Sequence, residues 1–485
     1  MAGFGSGIRF GVHADCLKNL TRGITERVLY VRSGEGLGKP PRPVAGAWSR
    51  LSLVRQMLLR KARSTPIVAL EEYPLLYNGR KRQVYQRAVD SLMIRGLTVR
   101  DSYVSVFIKA EKVNFTAKVD PAPRVIQPRS PRYNVEVGRY LKLFEKELVR
   151  AFRRAFGYDV ILKGMNADQV GAALAANWEQ FTKPVAFGLD ASRFDQHVSV
   201  EALEWEHSVY NAVFRCPKLR RLLRWQLKNR GIGRTEGHRV DYTVDGCRMS
   251  GDINTGMGNC LIMSSIVLAY CMLRGIRARL SNNGDDCVVM CEAADLYKFE
   301  GLSGWFLDFG FTLTREAPCY HLEEVEFCQF HPVRLSTGWR MVRNPFVAMS
   351  KDCVSLVGWS TDDEVRAWAH TVGSGGLSLC SGVPVWEAWY ARLVRLGVKG
   401  SDGLVERVND CGAAYWAKGC ASAVVDDAAR YSFWRAFGIL PDHQVALEAE
   451  YAEPMELASC QPMMNFSQAV IIDQQNALTK ITPTW

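Results

Sequence analysis

The chain has 485 residues and a mass of 54.5 kDa, which is too long for one ordinary compact core and indicates a large composite fold. Hydrophobic residues make up 48% and charged residues 23%, so the composition is globular and excludes a disordered chain. The net charge of +11 is uneven, because residues 1–160 carry 30 basic and 13 acidic side chains. This basic first third predicts a polyanionic partner such as nucleic acid, with a solvated basic surface as the alternative.

The first third of the chain is predicted to consist of a lead-in, a linker and a basic block at 47–160. Residues 1–32 read as a short ordered lead-in and the Gly- and Pro-rich residues 33–46 as a linker. An apparent strand at 103–109 precedes residues 120–132, which should be extended because each X-Pro step disfavours helix. A basic helix is predicted at 140–156.

The middle of the chain alternates apolar strands and helices. Residues 184–190 form a short apolar run ending in an acid, which is typical of a buried strand that delivers a side chain at its tip. A basic helix with leucines on one face is predicted at 217–230, and an apolar helix at 259–273. The latter is too short an apolar run for a membrane span. Residues 278–291 predict a hairpin with an Asn-Gly turn.

The last third is predicted to be mostly helical over 360–440, with a Gly/Ser loop at 373–384 and an acidic, poorly patterned tail after 445. The 14 cysteines contain no CxxC pair, which favours a reducing, intracellular setting. The group at positions 319, 321, 328 and 331 (Cys, His, Cys, His) departs from standard zinc-site spacing, so a zinc site is the weaker interpretation.

Acidic residues at two strand tips are the first candidates for chemistry. Gly284 is followed by Asp285 and Asp286 at the predicted hairpin tip, and taken alone this tripeptide favours an ordinary turn. Asp190, however, ends a separate apolar strand. Two strand-tip acids from separate segments are what a site for two Mg²⁺ ions requires, because Mg²⁺ prefers oxygen ligands. Two such ions can stabilise both the attacking and the leaving oxygen of a phosphoryl displacement.

A Gly-rich segment around residues 250–260 supplies the second group of candidates. The simpler interpretation is a loop that caps the following helix, with Asp252 or Thr255 as the cap. Thr255 and Asn259 are four residues apart and would share a helix face, where a hydroxyl and an amide can recognise a sugar hydroxyl. Asp195, five residues after the first strand tip, is placed to join them.

The order and spacing of these strings resemble a known family. GLDASRFDQH (188–197), SGDINTGMGNC (250–260) and NNGDDC (282–287) resemble motifs A, B and C of viral RNA-dependent RNA polymerases. The SRFDQH wording and four further strings look most like the polymerases of the tombusvirus family of plant viruses, carmovirus-like members included: YNGRKRQVYQRAV (77–89), VIQPR (125–129), VEFCQFHPV (325–333) and, more weakly, FVAMSKD (346–352). The main resemblance covers about 77–350.

The resemblance implies specific roles for residues of this chain. Asp190 and Asp285 would ligate two Mg²⁺ ions, for which Mn²⁺ can substitute, with Asp286 close to the metals. The ribose 2′-hydroxyl of an NTP would be recognised by a second set, made of Asp195, Ser250, Thr255 and Asn259. The reaction would be attack of a 3′-hydroxyl on the α-phosphate of the NTP, with release of pyrophosphate.

Basic residues are expected to bind the triphosphate of the NTP and the RNA. By resemblance, Lys109 and Arg124 belong to motif F, where they would contact the triphosphate and stack over the incoming base. RNA contacts are expected from Lys112, Lys118 and Arg129 in the same segment, and from Arg221 and Arg224 on the helix after motif A, for which a solvated outer face is the equal alternative.

Motifs E and D complete the resemblance. Residues 325–329 would form the primer-grip turn of motif E. Where motif D often carries a lysine, this chain has Arg315, while Lys298 lies earlier. Because arginine is a poor proton donor, the general acid for pyrophosphate stays open.

The implied fold class is α+β, a right hand whose palm is an antiparallel sheet plus helices and whose thumb is mostly helical. The expected division is an N-terminal extension and linker (1–46), fingers (47–180 and 201–244), palm (181–200 and 245–335), thumb (336–450) and a C-terminal tail (451–485). Expected partners are template RNA, NTPs, a viral auxiliary replication protein acting as membrane adaptor, and a second copy of the chain. That adaptor would place the protein on membrane-associated replication complexes in the host cytoplasm.

Two rival functions fit parts of the same pattern. A reverse transcriptase could use the same palm, but Gly284 before the acids and the Asp195–Asn259 pair favour a ribonucleotide. A basic RNA-binding scaffold with a dead site would have the same charge distribution, but the intact acids at 190, 285 and 286 argue against it.

Overall fold

The computed structural model describes residues 2–4, 9–34, 36–359, 361–401, 416–453 and 462–463. The helices in these ranges are α1 (Leu17–Ile24), α2 (Ser52–Lys61), α3 (Gly79–Ile94), α4 (Pro131–Phe156), α5 (Ala167–Trp178), α6 (Phe194–His197), α7 (Val200–Phe214), α8 (Pro217–Arg224), α9 (Thr255–Leu273), α10 (Leu302–Asp308), α11 (Pro345–Asp352), α12 (Asp362–Cys380), α13 (Trp386–Leu396), α14 (Asp427–Phe437) and α15 (Pro441–Ala452).

Eight strands build the two larger sheets, and the strands in the described ranges have two to eight residues each. They are β1 (Ala2–Phe4), β2 (Phe10–Gly11), β3 (Val31–Ser33), β4 (Gly36–Gly38), β5 (Val104–Ile108), β6 (Val113–Asn114), β7 (Val125–Ile126), β8 (Pro184–Ala191), β9 (Lys228–Thr235), β10 (His238–Asp245), β11 (Ala278–Asn283), β12 (Asp286–Glu292), β13 (Leu313–Arg315), β14 (Phe330–Leu335), β15 (Gly338–Arg343), β16 (Val354–Ser355) and β17 (Pro462–Met463).

A four-stranded antiparallel sheet, in the order β11-β12-β8-β13, lies at the centre of the fold. Its strands are rich in Val, Leu, Cys and Met, and most of β12 is buried because both faces of the sheet are covered. The apolar strand predicted at 184–190 and the hairpin predicted at 278–291 are both confirmed, but the turn consists of Gly284 and Asp285 rather than an Asn-Gly pair, because Asn283 is still paired with Asp286.

Helix α9 packs in the core beside this sheet. Every residue from 257 to 271 is buried, as expected for a helix that is apolar all round. By length and composition α9 could cross a membrane, but 83% of its most apolar stretch is buried inside the protein, as in the core helix of a folded domain.

A second sheet, in the order β10-β9-β5-β7, carries the basic segment predicted from 103 onward. Strand β5 runs parallel to β9 and antiparallel to β7. The N-terminal helix α1 packs Leu20 and Ile24 against Val104 and Val106 of this sheet, so the lead-in contributes to a core. The linker predicted at 33–46 is wrong in its first part, because β3 and β4 pair there as a hairpin.

Two predicted helices have different bounds in the structure. Helix α4 begins at Pro131 rather than 140, since Ser130 caps it and Pro is favoured in a first turn. The helix predicted at 217–230 is wrong beyond Arg224. Its chain turns there because Gln226 and Asn229 point into a buried polar network instead of continuing the leucine face.

The C-terminal third is mostly helical around the β14–β15 hairpin. The predicted Gly/Ser loop at 373–384 is wrong over most of its length, because α12 continues to Cys380. A Cβ on Gly373 would lie 2.8 Å from the Tyr390 carbonyl oxygen, and one on Gly376 would overlap the Tyr390 ring. These glycines therefore serve the close approach of α12 to α13 rather than a loop.

Candidate active site

The tip of β8 and the β11–β12 turn meet at one edge of the central sheet. Leu189 pairs with Cys287 and Thr314 pairs with Asp190, so Asp190 lies between β13 and the start of β12. Asp285 occupies the turn and Asp286 is the first residue of β12. The register thus brings together three acids that are separated by up to 96 positions along the chain.

The turn that carries Asp285 is a two-residue hairpin turn that the Asn282 side chain stabilises. Gly284 has φ +92°, a conformation that disfavours any residue with a Cβ. The buried Asn282 side chain donates from Nδ2 to the Gly284 carbonyl oxygen over 2.7 Å and accepts from the Gly284 N–H over 3.2 Å. This reciprocal pair fixes the direction in which the following acids project.

The acids line a cavity of about 120 Å³ that two further carboxylates share. The cavity is lined by Asp190, Asp285, Asp286, Glu316 and Glu326, together with backbone and side chains of residues 188–189, 287 and 327–329. Crowding of protein atoms around the carboxyl, followed by repulsion from Asp285, Glu326 and Asp190, raises the pKa of Asp286 to about 6. The cavity therefore holds negative charge in excess, which favours a cation.

The rim opposite the acids is the tight turn predicted for motif E. Phe327 and Phe330 exchange backbone hydrogen bonds of 2.9 and 3.1 Å around Cys328 and Gln329, both of which have positive φ. The Asn283 side chain donates to the Cys328 sulfur over 3.2 Å, which ties this turn to the β11–β12 turn.

The donor set is chemically suited to a hard divalent cation, since it consists of carboxylate oxygens. Among the described residues, no group of three or more His, Cys, Asp or Glu side chains is already close enough to hold a metal. Asp190, Asp285 and Asp286 all have solvent-exposed surface at this edge, where an ion could reach them. The zinc interpretation lacks support at its four positions; His331, for example, contacts the Glu323 carbonyl oxygen instead.

The predicted sugar-recognition residues come together next to this edge. Asn259 on α9 donates from Nδ2 to Oδ1 of Asp195 over 2.7 Å. Burial raises the pKa of Asp195 to about 6, although the hydrogen bond from Asn259 and the charge of Arg248 both lower it. The pairing expected between these two residues is thus present.

The two predicted hydroxyls make contacts within the loop before α9. Ser250 accepts a hydrogen bond from the Gln127 backbone N–H over 3.0 Å, and Thr255 donates to the Met249 carbonyl oxygen over 2.8 Å. The predicted cap is wrong, because the N-cap is Asn254 and its side chain turns inward to Glu206. Both hydroxyls therefore shape the loop.

Sequence reasoning missed the ion pair that supports Asn259. Arg248 and Glu206 are paired with fully buried side chains, and Arg248 Nε donates to Asn259 Oδ1 over 3.1 Å. Burial lowers the basicity of the Arg248 guanidinium, but Glu206 outweighs it, so the pKa of Arg248 is raised. The available signal was Glu206 itself, an acid on the apolar stripe of α7 that needs a buried partner.

The motif F candidates lie at the adjoining ends of two paired strands, Lys109 directly after β5 and Arg124 directly before β7. The Lys109 N–H donates to the Arg124 carbonyl oxygen over 2.8 Å, and both side chains are partly exposed. The strand that follows Arg124 reaches the loop of Ser250 through Gln127. Lys109 and Arg124 therefore stand on a segment directly joined to the sugar-recognition loop.

The five candidate RNA contacts differ in exposure. Lys118, Arg221 and Arg224 are exposed, whereas Lys112 is half-buried and donates to the Lys351 carbonyl oxygen over 2.9 Å. The prediction that Arg129 contacts RNA is wrong, because its guanidinium is buried, is paired with Asp252 and donates to the backbone carbonyl oxygen of Ser102. The guanidinium is therefore not available to RNA and holds the loop before α9 instead.

The motif D position is occupied as the sequence indicated. The Arg315 guanidinium lies over the Phe187 ring at 5.6 Å, and Lys298 forms an ion pair with Asp295 over 2.7 Å. Neither contact identifies a proton donor to pyrophosphate.

Comparison of the sequence with known proteins shows the family of the chain. The sequence profile described as viral RNA dependent RNA polymerase matches residues 1–458. RNA-directed RNA polymerases of Turnip crinkle virus and Tomato bushy stunt virus (strain Cherry) are each 46% identical, over 94% and 92% of this chain and 60% and 55% of their own lengths. That of Carnation mottle virus is 43% identical over 92% of this chain and 59% of its own length.

The chain belongs to the viral RNA-dependent RNA polymerase family, with relatives among tombusvirus- and carmovirus-type plant viruses. It spans between 47% and 60% of the length of the relatives compared.

Proposed function

We propose that this chain catalyses template-directed RNA synthesis on a positive-strand viral genome. A 3′-hydroxyl attacks the α-phosphate of an NTP, a new phosphodiester bond forms, and the bond to pyrophosphate breaks. The observation that carries the proposal is the sheet register that sets Asp190 beside the turn bearing Asp285 and Asp286.

The three acids would hold two Mg²⁺ ions, or Mn²⁺ in their place. Divalent cations bound there would lower the pKa of the attacking hydroxyl and stabilise charge on the leaving pyrophosphate. Asp190 and Asp285 are the bridging candidates, and Asp286 is adjacent. Burial and repulsion from Asp285, Glu326 and Asp190 together raise the pKa of Asp286, and a bound cation would relieve that repulsion.

The Asp195–Asn259 pair would select the ribose. Asp195 accepts a hydrogen bond from the 2′-hydroxyl, while Asn259, oriented by Arg248, holds the carboxyl in place. A deoxynucleotide leaves this buried carboxyl without that partner, which costs free energy. Ser250 and Thr255 stabilise the loop that leads into α9, the helix that carries Asn259.

The remaining expectations extend the proposal to the whole molecule. The central sheet with α9 is the palm, the β10-β9-β5-β7 sheet with α3 and α4 belongs to the fingers, and α12 to α15 belong to the thumb. Exposed cations, Lys118, Arg221 and Arg224 among them, attract template RNA. A viral auxiliary replication protein brings the chain to membrane-associated replication complexes in the host cytoplasm, and a second copy of the chain is a further partner.

The direct test uses purified protein, a short RNA template and labelled NTPs, with Mg²⁺ or with EDTA. We expect template-complementary product with Mg²⁺ and none with EDTA. Product that is independent of the template sequence, or preference for dTTP over UTP on poly(A), would contradict the proposal.

A further inference from the structure

The two motif F cations share one internal anion. Lys109 Nζ lies 2.8 Å from Oε2 of Glu111, and Arg124 donates to the same oxygen over 3.1 Å. The side chains of Lys109 and Arg124 are 35% and 58% exposed. One carboxylate oxygen thus accepts from two cations that both remain open to solvent.

The surroundings of this carboxylate are crowded with further cations. Burial, together with the nearby charges of Arg193 and Arg124, lowers the pKa of Arg27 to about 10, while Glu111 acts in the opposite direction. The Arg27 Nε atom is buried and makes no hydrogen bond within the described part of the chain. Several guanidinium groups therefore converge where Glu111 supplies a counter-charge, which favours an additional anion.

The chain links this cluster to the proposed catalytic edge at two points. Arg193 follows Asp190 by three residues, and its guanidinium donates to the Glu26 carbonyl oxygen. Arg124 precedes the segment whose Gln127 bonds Ser250. The cations thus approach the site both from the tip of β8 and from the loop before α9.

We propose that Glu111 is an internal counter-anion that occupies the phosphate-binding position of Lys109 and Arg124 until the triphosphate of an NTP displaces it. The assignment rests on the proposed function, since it takes the NTP as the ligand of these cations. Carboxylate and phosphate oxygens compete for the same N–H donors, so Glu111 lowers the affinity for the triphosphate. The displaced carboxylate re-forms its pairs after pyrophosphate leaves, which assists product release.

The test removes the charge of Glu111 and compares a matched carboxylate. Glu111→Gln keeps the side-chain shape, and Asp120→Asn makes the same charge change in the same segment, where Asp120 pairs with Arg22 at 2.6 Å. Equilibrium affinities for inorganic triphosphate and ATP are measured in EDTA. We expect Glu111→Gln to tighten both by about three- to tenfold, because partly exposed ion pairs contribute modestly, and Asp120→Asn to change them by less than about twofold.

Several outcomes overturn the assignment. Unchanged or weaker triphosphate binding by Glu111→Gln would show that Glu111 orients the cations rather than competing with their ligand. Tighter RNA binding without tighter triphosphate binding would assign the cations to RNA. The same affinities are measured for Glu111→Ala, and thermal unfolding checks that each variant is folded.

The design separates this inference from the proposed function. Triphosphate binding in EDTA requires neither metal nor turnover, so it tests the anion site alone. RNA synthesis by the wild type is measured in parallel. Tighter binding by Glu111→Gln together with inactive wild-type protein would contradict the polymerase proposal and leave the anion site standing.

Discussion

Asn259 donates a 2.7 Å hydrogen bond to Asp195 across 64 positions of the chain, and its own amide oxygen accepts from the buried Arg248. The second contact matters because an amide can face either way. With its oxygen held by a guanidinium, the amide nitrogen must face Asp195. The orientation of the proposed sugar-recognition pair is therefore set by a residue that does not itself reach the sugar.

Removing the Asn259 amide should relax ribose selection. In Asn259→Ala we expect UTP preference over dTTP on poly(A) to fall by about tenfold, which corresponds to one hydrogen bond to a charged group. The measurement is kcat/KM for each nucleotide. Asn166→Ala, which removes a helix cap on α5, is the control for a general loss of stability. Equal loss of selectivity in both variants would contradict the assignment.

Asp195 should make stability depend on pH in a defined direction. Its folded pKa of about 6 lies above the ordinary value of 3.8, so between these values the folded state binds more protons than the unfolded state. The contribution of Asp195 is thus fully present below about pH 4 and is lost as pH rises through 6.

The measurement is denaturant unfolding of the wild type and Asp195→Asn from pH 4 to 7. Relative to the variant, the wild type should lose about 1–3 kcal/mol over this range. The comparison cancels groups common to both proteins, including Asp286. A constant difference across the range would show that burial does not shift this carboxyl.

Variants of the Arg248–Glu206 pair should affect the stability of the protein and its selection of UTP over dTTP differently. Arg248→Met leaves Glu206 buried and uncompensated, which should cost about 3–5 kcal/mol of unfolding free energy. Adding Glu206→Gln should recover part of that loss. Selection of UTP over dTTP should stay low in both variants, because Asn259 has lost the group that orients it. Recovery of selectivity together with stability would assign the pair a purely structural role.

The turn acid should be required for synthesis but not for RNA binding. Asp285→Ala should lower kcat by about a thousandfold or more, since a metal ligand contributes several kcal/mol to the transition state. RNA affinity, measured by fluorescence anisotropy, should change little. Asp241→Asn, an exposed acid paired with Arg239, is the control. Synthesis at the wild-type rate by Asp285→Ala would remove the catalytic assignment.

The contact between α12 and α13 offers a stability test within a single helix. A Cβ on Gly376 would overlap the Tyr390 ring, whereas one on Gly375 would meet open space. Gly376→Ala should therefore destabilise the protein by about 1–3 kcal/mol, and Gly375→Ala should be neutral or stabilise it by up to about 1 kcal/mol. Denaturant unfolding measures both, and equal effects would contradict the packing.

The sequence was most informative where local pattern and chemistry coincide. The apolar run ending in Asp190 and the Asn-Gly signal before Asp285 predicted two strand tips, and the structure contains both. The Gly/Ser run at 373–384 misled because glycine serves turns and close helix contacts equally, and only the position of Tyr390 distinguishes them. The helix at 217–230 was overextended because the inward turn of Gln226 depends on distant partners.

Strand and turn propensities and the identity of the acids and amides are local properties of the chain, so the residues that could carry chemistry were recognisable without a fold. How these residues are used depends on the folded arrangement, which buries Arg129 against Asp252, places Arg248 behind Asn259, and sets Glu111 between Lys109 and Arg124. The physical reason is that burial and charge pairing depend on neighbours brought together by folding, whose separation along the chain carries no local signal.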